Sequence, residues 1–292
     1  MIKKIPQYIE PLFRPPAEAD SLIFQVALGC PHNCCRFCGM YKGVRYHERP
    51  EQEILGEIAE TASSFPDESR IFLADADVMH LPFERLYRYL EEINRSFPSL
   101  ARINLYANAR SILAKSPEQL RMLRNLKLNT LYVGLESGSA EVLSMVCKNE
   151  TPQTMIDAVK LAQSCDLKCS VMVLLGLGGH RYRDIHIAET VRVLNQMQPR
   201  LLSALRFIPV PNIKMPPEYS EVSEYEAVEE LYQIIAGLEL TKTVFRANHT
   251  SNPVPLAGRF PSGKPAMLAE LDVLLKSNQL ERKGPGRKPF YL

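Results

Sequence analysis

Short runs of apolar residues alternate along the chain with longer amphipathic segments, and this alternation predicts strands and helices in turn. Seven runs rich in Val, Ile, Phe or Tyr are predicted strands, at 22–28, 70–74, 102–107, 130–135, 168–175, 203–208 and 243–247. Seven amphipathic segments between them are predicted helices, at 51–64, 82–97, 116–125, 139–146, 153–164, 184–197 and 223–238. A cap residue followed by proline marks two helix starts, at Ser116 and Thr151.

Strands that alternate with helices are typical of parallel β/α units. Six or seven such units favour a barrel, so the predicted fold class is α/β, a partial (β/α)6 barrel of the TIM type. No Gly-x-Gly-x-x-Gly follows the first predicted strand, which disfavours a dinucleotide-binding sheet. We expect an N-terminal extension over 1–21, a core barrel over 22–210, and a C-terminal substrate-side extension with a basic tail over 211–292.

The composition is that of an ordinary globular protein. Of 292 residues, 46% are apolar and 23% charged, which is enough to build a core. A net charge of +2 gives no reason to expect nucleic acid or an acidic membrane as a partner. The longest apolar run, 169–179, is too short to span a bilayer, and Pro6, Glu10 and Pro11 interrupt any secretory segment. We therefore expect a cytoplasmic protein whose basic tail, 281–289, is loose and solvated.

Four of the seven cysteines fall within nine residues, directly after the first predicted strand: Cys30, Cys34, Cys35 and Cys38. Barrels of this type build their active sites at the carboxyl ends of their strands. In a chain that is neither short nor secreted, such clustering indicates a metal or redox site rather than disulfides. Three thiolates on one loop can bind three irons of a [4Fe–4S] cluster and leave the fourth open. A zinc site that includes His32 is the alternative.

The loop resembles that of the radical S-adenosylmethionine (SAM) superfamily, Cys-x3-Cys-x2-Cys with an aromatic residue before the last cysteine. Residues 35–38, Cys-Arg-Phe-Cys, reproduce the second half, but four residues separate Cys30 from Cys35. The resemblance favours Cys30, Cys35 and Cys38 as the ligands, with Cys34 as an alternative middle ligand. It implies that Phe37 lies against the adenine of SAM.

Three later segments extend the resemblance over roughly residues 20–210. Residues 73–77, Leu-Ala-Asp-Ala-Asp, stand where the family often has a Gly-Gly-Glu-like turn that receives the SAM amino group. The resemblance gives that role to Asp75 or Asp77, although both glycines are missing. Residues 132–139, Tyr-Val-Gly-Leu-Glu-Ser-Gly-Ser, match the family's Gly-x-Glu-Ser pattern and place Glu136 and Ser137 near the SAM ribose and carboxylate. A plain helix cap is the alternative interpretation.

The fifth predicted strand ends at Leu175 and Gly176, before a glycine-rich run. Similar segments in the family lie along the adenine, and glycine lets a backbone approach a ligand closely. The other three cysteines, Cys147, Cys165 and Cys169, are expected to be packing residues.

The resemblance implies two cofactors, a [4Fe–4S] cluster and SAM, and an electron donor such as flavodoxin or ferredoxin. It implies that SAM is cleaved reductively to a 5′-deoxyadenosyl radical, which abstracts hydrogen from a substrate. A small molecule or peptide is expected as substrate rather than tRNA. Two other classes stay open: an iron–sulfur electron-transfer or scaffold protein that does not cleave SAM, and a zinc-stabilised binding protein.

The loop after the last predicted strand is polar, and loops at this end of a barrel carry function. Asn248, His249 and Asn252 are therefore candidate residues on the substrate side. An Asn-rich turn held by ordinary capping hydrogen bonds is the competing interpretation.

Overall fold

The computed structural model describes residues 8–286 and residue 288. The strands are β1 Leu22–Gln25, β2 Ala27–Leu28, β3 His47–Glu48, β4 Arg70–Ala74, β5 Arg102–Tyr106, β6 Leu128–Glu136, β7 Lys168–Leu175, β8 Leu201–Arg206, β9 Val244–Ala247 and β10 Leu256–Arg259. The α-helices are α1 Glu51–Ser64, α2 Phe83–Ser96, α3 Ala109–Leu113, α4 Pro117–Asn125, α5 Ala140–Met145, α6 Pro152–Ser164, α7 Arg183–Met197, α8 Glu224–Gly237 and α9 Lys264–Lys276. Within the described residues, no helix has the length and apolar character needed to cross a membrane.

The main sheet has eight strands in the order β1-β4-β5-β6-β7-β8-β9-β10. The pairs β1–β4, β4–β5, β5–β6, β7–β8 and β8–β9 are parallel. Because helices connect successive strands, this mostly parallel α/β arrangement confirms the predicted fold class. The outermost pair, β9–β10, is antiparallel.

The observed strands differ from the predicted ones in several places, of which two concern the edges of the sheets. The run 22–28 is not one strand: β1 ends at Gln25, and Val26 donates its N–H to the carbonyl of Ala74 and accepts the N–H of Arg49. The following residues, Ala27 and Leu28, instead pair with β3 in a small antiparallel sheet. Strand β10 was not predicted, since four residues that include Gly258 carry little strand signal.

The described chain divides into two compact units, which interleave in sequence. The first contains residues 8–33, 40–133 and 157–169, and the second contains 34–39, 134–156 and 170–286. In the first unit, Phe72, Tyr106 and Tyr132 pack edge to face on one side of β4, β5 and β6. In the second unit, α8 packs against both α7 and α9.

Local sequence explains several helix starts. Ser116 accepts the N–H of Gln119, whose side chain in turn accepts the N–H of Ser116, so α4 begins with the predicted cap. The hydroxyl of Thr151 accepts the N–H of Thr154 at the start of α6. Ser223 and Glu226 form the same reciprocal box at α8. These caps satisfy N–H groups that the first turn of a helix leaves without partners.

The start of the tail contacts α8, whereas residues 281–284 are exposed, in line with the predicted solvated tail. The N–H of Tyr225 donates to the carbonyl of Glu281, and the guanidinium of Arg282 lies 3.8 Å from the centre of the Tyr225 ring. A backbone hydrogen bond and a cation–π contact therefore hold the start of the tail on α8. Residues 1–7 of the predicted N-terminal extension, with 287 and 289–292 of the tail, lie outside the described residues.

Candidate functional site

In the second unit, the chain turns sharply where β6 ends at Glu136. Glu136 has a φ of 62°, and its Oε1 lies 3.3 Å from Nζ of Lys148. A Cβ at Gly134 would overlap the Glu136 carboxylate and come within 3.3 Å of the same Nζ. Glycine at 134 therefore gives the carboxylate the room to reach Lys148, and the pair is largely buried, with side chains 11% and 8% exposed.

Lys148 is a residue that the sequence did not single out. Burial by itself lowers its pKa, but the charges of Glu136 and Cys35 outweigh burial and raise the pKa above the usual value. The ammonium also lies 5.9 Å from the centre of the Phe37 ring. A buried cation thus lies beside a carboxylate and an aromatic ring and within the electrostatic influence of a thiol, and all three groups were predicted to serve the cofactors.

Residues 34–39 of the cysteine loop belong to the second unit. Arg36 donates its N–H to the carbonyl of Val146 over 2.8 Å, and Asn212 donates its amide to the carbonyl of Gly39 over 2.8 Å. The Phe37 ring packs against a buried apolar cluster formed by Val142, Val146, Leu177 and Phe207. The ring is therefore fixed among residues that follow β6, β7 and β8.

The thiols differ in exposure. Cys34 is exposed, whereas Cys30, Cys35 and Cys38 are half-buried, and no cysteine among the described residues forms a disulfide. Cys30 lies in the first unit, where Asn33 holds the loop by donating its amide to the carbonyls of Tyr41 and Val44.

No group of three or more His, Cys, Asp or Glu side chains within the described part of the chain is close enough to hold a single metal ion. Thiolates of a cluster site bind different irons, so such a site does not require that closeness.

Ser137 is fully buried beside the Glu136 turn. Its Oγ lies 2.7 Å from Nδ1 of His186 on α7 and accepts the N–H of Ser139 over 3.0 Å. The helix cap here is Ser139, whose hydroxyl accepts the N–H of Val142 at the start of α5. The plain capping interpretation therefore applies to Ser139 rather than to Glu136 or Ser137.

Leu175 ends β7, and Gly176 begins the turn after it with a φ of 79°. The N–H of Gly176 donates to Oε1 of Glu230 over 2.7 Å, and its carbonyl accepts the hydroxyl of Tyr219 over 3.2 Å. A Cβ on residue 176 would lie 2.6 Å from Val222. The turn needs glycine for both its backbone angle and its close packing.

Asp75 lies in the first unit, buried between β4 and the cysteine loop. It accepts hydrogen bonds from the Gln25 amide, the Gly29 N–H and the Tyr41 hydroxyl, at 3.1, 3.3 and 3.3 Å. Burial outweighs these bonds and raises its pKa to about 6.

Asp77 is also buried in the first unit. It accepts both the backbone and side-chain N–H groups of Asn108, each over 3.1 Å, and the Ser111 hydroxyl over 2.6 Å. Burial raises its pKa as well. These bonds hold the start of α3, which gives Asp77 a local structural role.

The candidates on the substrate side lie between β9 and β10. Asn248 is exposed and His249 half-buried, and Nδ1 of His249 lies 2.9 Å from the Ser251 hydroxyl. Burial lowers the pKa of His249. The Asn252 side chain bonds backbone groups: it donates to the carbonyls of Ala204 and Ala247 and accepts the N–H of Arg206. Asn252 thus ties this turn to β8.

Of the remaining cysteines, Cys165 and Cys169 are buried, as expected of packing residues, and Cys147 is half-buried. Burial raises the pKa of Cys169 to about 12, so its thiol stays protonated at neutral pH.

Comparisons with known proteins place the chain in a family. The model of the radical SAM superfamily matches residues 24–192. An uncharacterized methyltransferase of Pyrococcus horikoshii, PH0819, is 25% identical over 167 residues, which are 54% of this chain and 34% of the relative. The chain thus spans about a third of the curated relative that it matches.

Solved structures show the same fold at low sequence identity. Coproporphyrinogen III oxidase from Escherichia coli superposes with a TM-score of 0.56 at 17% identity, over 73% of this chain and 50% of the oxidase. The cobalamin-dependent radical SAM enzyme OxsB gives 0.53 at 16% identity, over 65% and 28%. Methylornithine synthase gives 0.51 at 11% identity, over 86% and 80%. Since the family model covers more than half of the sequence, the chain belongs to the radical SAM superfamily of enzymes, which use a [4Fe–4S] cluster and SAM.

Proposed function

We propose that Cys30, Cys35 and Cys38 hold the [4Fe–4S] cluster of a radical SAM enzyme. Three thiols are a donor set that suits iron–sulfur ligation and leaves one iron without a protein ligand. The choice of Cys35 over Cys34 is supported by Lys148, because a nearby cation favours a thiolate and Cys34 is exposed instead. When bound, the reduced cluster and SAM supply one-electron cleavage of the sulfonium to a 5′-deoxyadenosyl radical.

The residues proposed to bind SAM carry complementary charges. SAM has an ammonium, a carboxylate and a ribose, and the buried Glu136–Lys148 pair offers both an acceptor and a cation. Ser137 supplies a hydroxyl, while Phe37, Leu175 and Gly176 supply apolar and backbone surface for adenine. This buried pair in the same unit as Phe37 is the observation that carries the proposal. We assign Asp75 rather than Asp77 to the amino group, because Asp77 holds α3.

The turn between β9 and β10 is the basis for a proposal about the substrate. We propose a small molecule or peptide that meets Asn248 and His249, with Asn252 fixing their turn. A flavodoxin or ferredoxin as electron donor and a cytoplasmic location are parts of the same proposal.

The test is anaerobic incubation of cluster-loaded protein with dithionite and SAM, followed by product analysis. We expect 5′-deoxyadenosine, and we expect Cys35→Ala to abolish it. S-adenosylhomocysteine among the products would add methyl transfer to the reaction. A reducible cluster that leaves SAM intact would instead support the alternative, an electron-transfer or scaffold protein.

A further inference from the structure

A buried chain of polar groups in the second unit joins the turn after β6 to the turn after β7. Oγ of Ser137 lies 2.7 Å from Nδ1 of His186 on α7. Nε2 of the same ring lies 3.2 Å from Oε1 of Glu230 on α8. That oxygen accepts the N–H of Gly176 over 2.7 Å. The three residues that supply side chains, Ser137, His186 and Glu230, are each at most 1% exposed.

Packing alone does not account for this buried row of polar groups. Nε2 of His186 and Oε2 of Glu230 are buried and have no hydrogen-bond partner among the described residues, although Nε2 lies 3.2 Å from Oε1 of Glu230. Burying polar atoms without partners costs stability. Two apolar side chains of similar volume would fill the space between α7 and α8 without that cost.

The contacts also suit one neutral tautomer of the His186 ring better than the other. Oε1 of Glu230 accepts the N–H of Gly176 and faces the His186 ring, which favours the tautomer with its proton on Nε2. Nδ1 then accepts the hydroxyl proton of Ser137. Since Oγ of Ser137 already accepts the N–H of Ser139, the hydroxyl is held in a single orientation.

We propose that His186 and Glu230 are positioning residues of the SAM site, which hold the Ser137 hydroxyl and the Gly176 backbone in one fixed arrangement. The inference rests on the proposed function, because it takes Ser137 and Gly176 as contacts of SAM. A site whose groups are held in place before binding loses less entropy when the ligand arrives. The two turns therefore bind SAM as one preorganised surface.

The first test measures SAM affinity by equilibrium dialysis with the anaerobically cluster-loaded protein. Glu230→Ala and His186→Ala are each expected to weaken binding about tenfold, because the first removes the buried acceptor of the Gly176 N–H and the second the buried partner of the Ser137 hydroxyl. Glu230→Gln retains an acceptor for the Gly176 N–H and is expected to stay within about threefold. The matched control is His180→Gln, which removes an exposed His180–Glu226 contact, 3.1 Å long, and is expected to leave affinity unchanged.

The second test uses the protein without cofactors, so that it does not depend on loading. NMR is expected to show a Gly176 amide protected from hydrogen exchange in the wild type and in Glu230→Gln, but not in Glu230→Ala. Nitrogen shifts of the wild-type His186 ring are expected to report a proton on Nε2. If the alanine variants do not fold, these wild-type signals decide: a rapidly exchanging Gly176 amide or a proton on Nδ1 alone overturns the inference.

Two failures can be told apart. Wild-type protein that holds a cluster but does not bind SAM would overturn the proposed function, and the inference with it. Wild-type protein that binds SAM, while folded Glu230→Ala and His186→Ala bind it equally well, would overturn the inference alone. In that case the pair would be structural, visible only in the melting temperature.

Discussion

Asp75 is buried and accepts three hydrogen bonds, and burial has the larger effect on its pKa. Its pKa of about 6 lies above the ordinary value of 3.8, so the folded protein keeps a proton on Asp75 at pH values where the unfolded chain has lost it. Stability therefore falls as the pH rises from about 4 to about 6. Above that range, the buried and charged carboxylate destabilises the folded protein.

Asp75→Asn removes this ionisation and is expected to flatten the stability curve between pH 4 and 6. Its carbonyl oxygen can still accept from Gln25 and Gly29, and its amide can donate to the Tyr41 hydroxyl oxygen. At pH 7 we expect the variant to be about 2 kcal/mol more stable than the wild type. Urea unfolding at several pH values checks this, and parallel curves for the two proteins would contradict it.

Lys148→Met leaves Glu136 buried without its counter-charge. Breaking a buried ion pair from one side costs about 3 kcal/mol, because the remaining charge has lost both water and partner. Adding Glu136→Gln is expected to recover much of that loss. Lys276→Met, which removes a pair that is 74% and 46% exposed, is the control and is expected to cost less than about 0.5 kcal/mol. Equal losses for the two single lysine variants in urea unfolding would refute this account of the pair.

At the scale of elements, the sequence pattern predicts the helices and strands whose formation depends on residues close together in the sequence. The observed bounds of β4, β7 and α1 equal the predicted ranges, since the two strands are continuous apolar runs and the helix has apolar residues at helical spacing. Helix α9 was missed because it follows Pro261 and Gly263 and begins with Lys264-Pro265, a run that indicates a loop. Strand β3 has two residues and exists through its pairing with β2, which no local pattern specifies.

Ser116→Ala tests the cap on α4. Removing a side chain that accepts a backbone N–H at a helix start is expected to cost about 1 kcal/mol of unfolding free energy. Ser63→Ala, on the exposed side of α1, is the control and is expected to stay within about 0.5 kcal/mol. Thermal and urea unfolding measure both variants. A Ser116→Ala protein as stable as the control variant would show that the cap contributes nothing.

At the scale of the whole molecule, the candidate site combines motifs whose residues are adjacent in the sequence with contacts between residues that are far apart in the sequence. The cysteine loop and the Gly-x-Glu-Ser segment can be found from sequence because their residues are adjacent. Lys148 lies 12 residues from its partner Glu136, His186 lies 49 from Ser137, and Glu230 lies 54 from Gly176. Only folding brings such pairs together, so periodicity and motif spacing carry no signal for them.

Iron analysis of cysteine variants tests the ligand assignment. Cys30→Ala, Cys35→Ala and Cys38→Ala are each expected to lose most of the reconstituted iron and sulfide, since a cluster held by two thiolates is poorly retained. Cys34→Ala is expected to keep wild-type iron, because Cys34 is exposed and outside the proposed ligand set. The reverse result for Cys34 and Cys35 would transfer the middle ligand to Cys34.

The central claim is that this chain holds a cluster with one iron open to SAM. The most direct measurement is the EPR spectrum of the anaerobically reconstituted, dithionite-reduced protein, recorded before and after SAM is added. We predict a [4Fe–4S]⁺ signal that changes shape when SAM binds. A protein that shows no such signal, or a signal that SAM leaves unchanged, would contradict the claim.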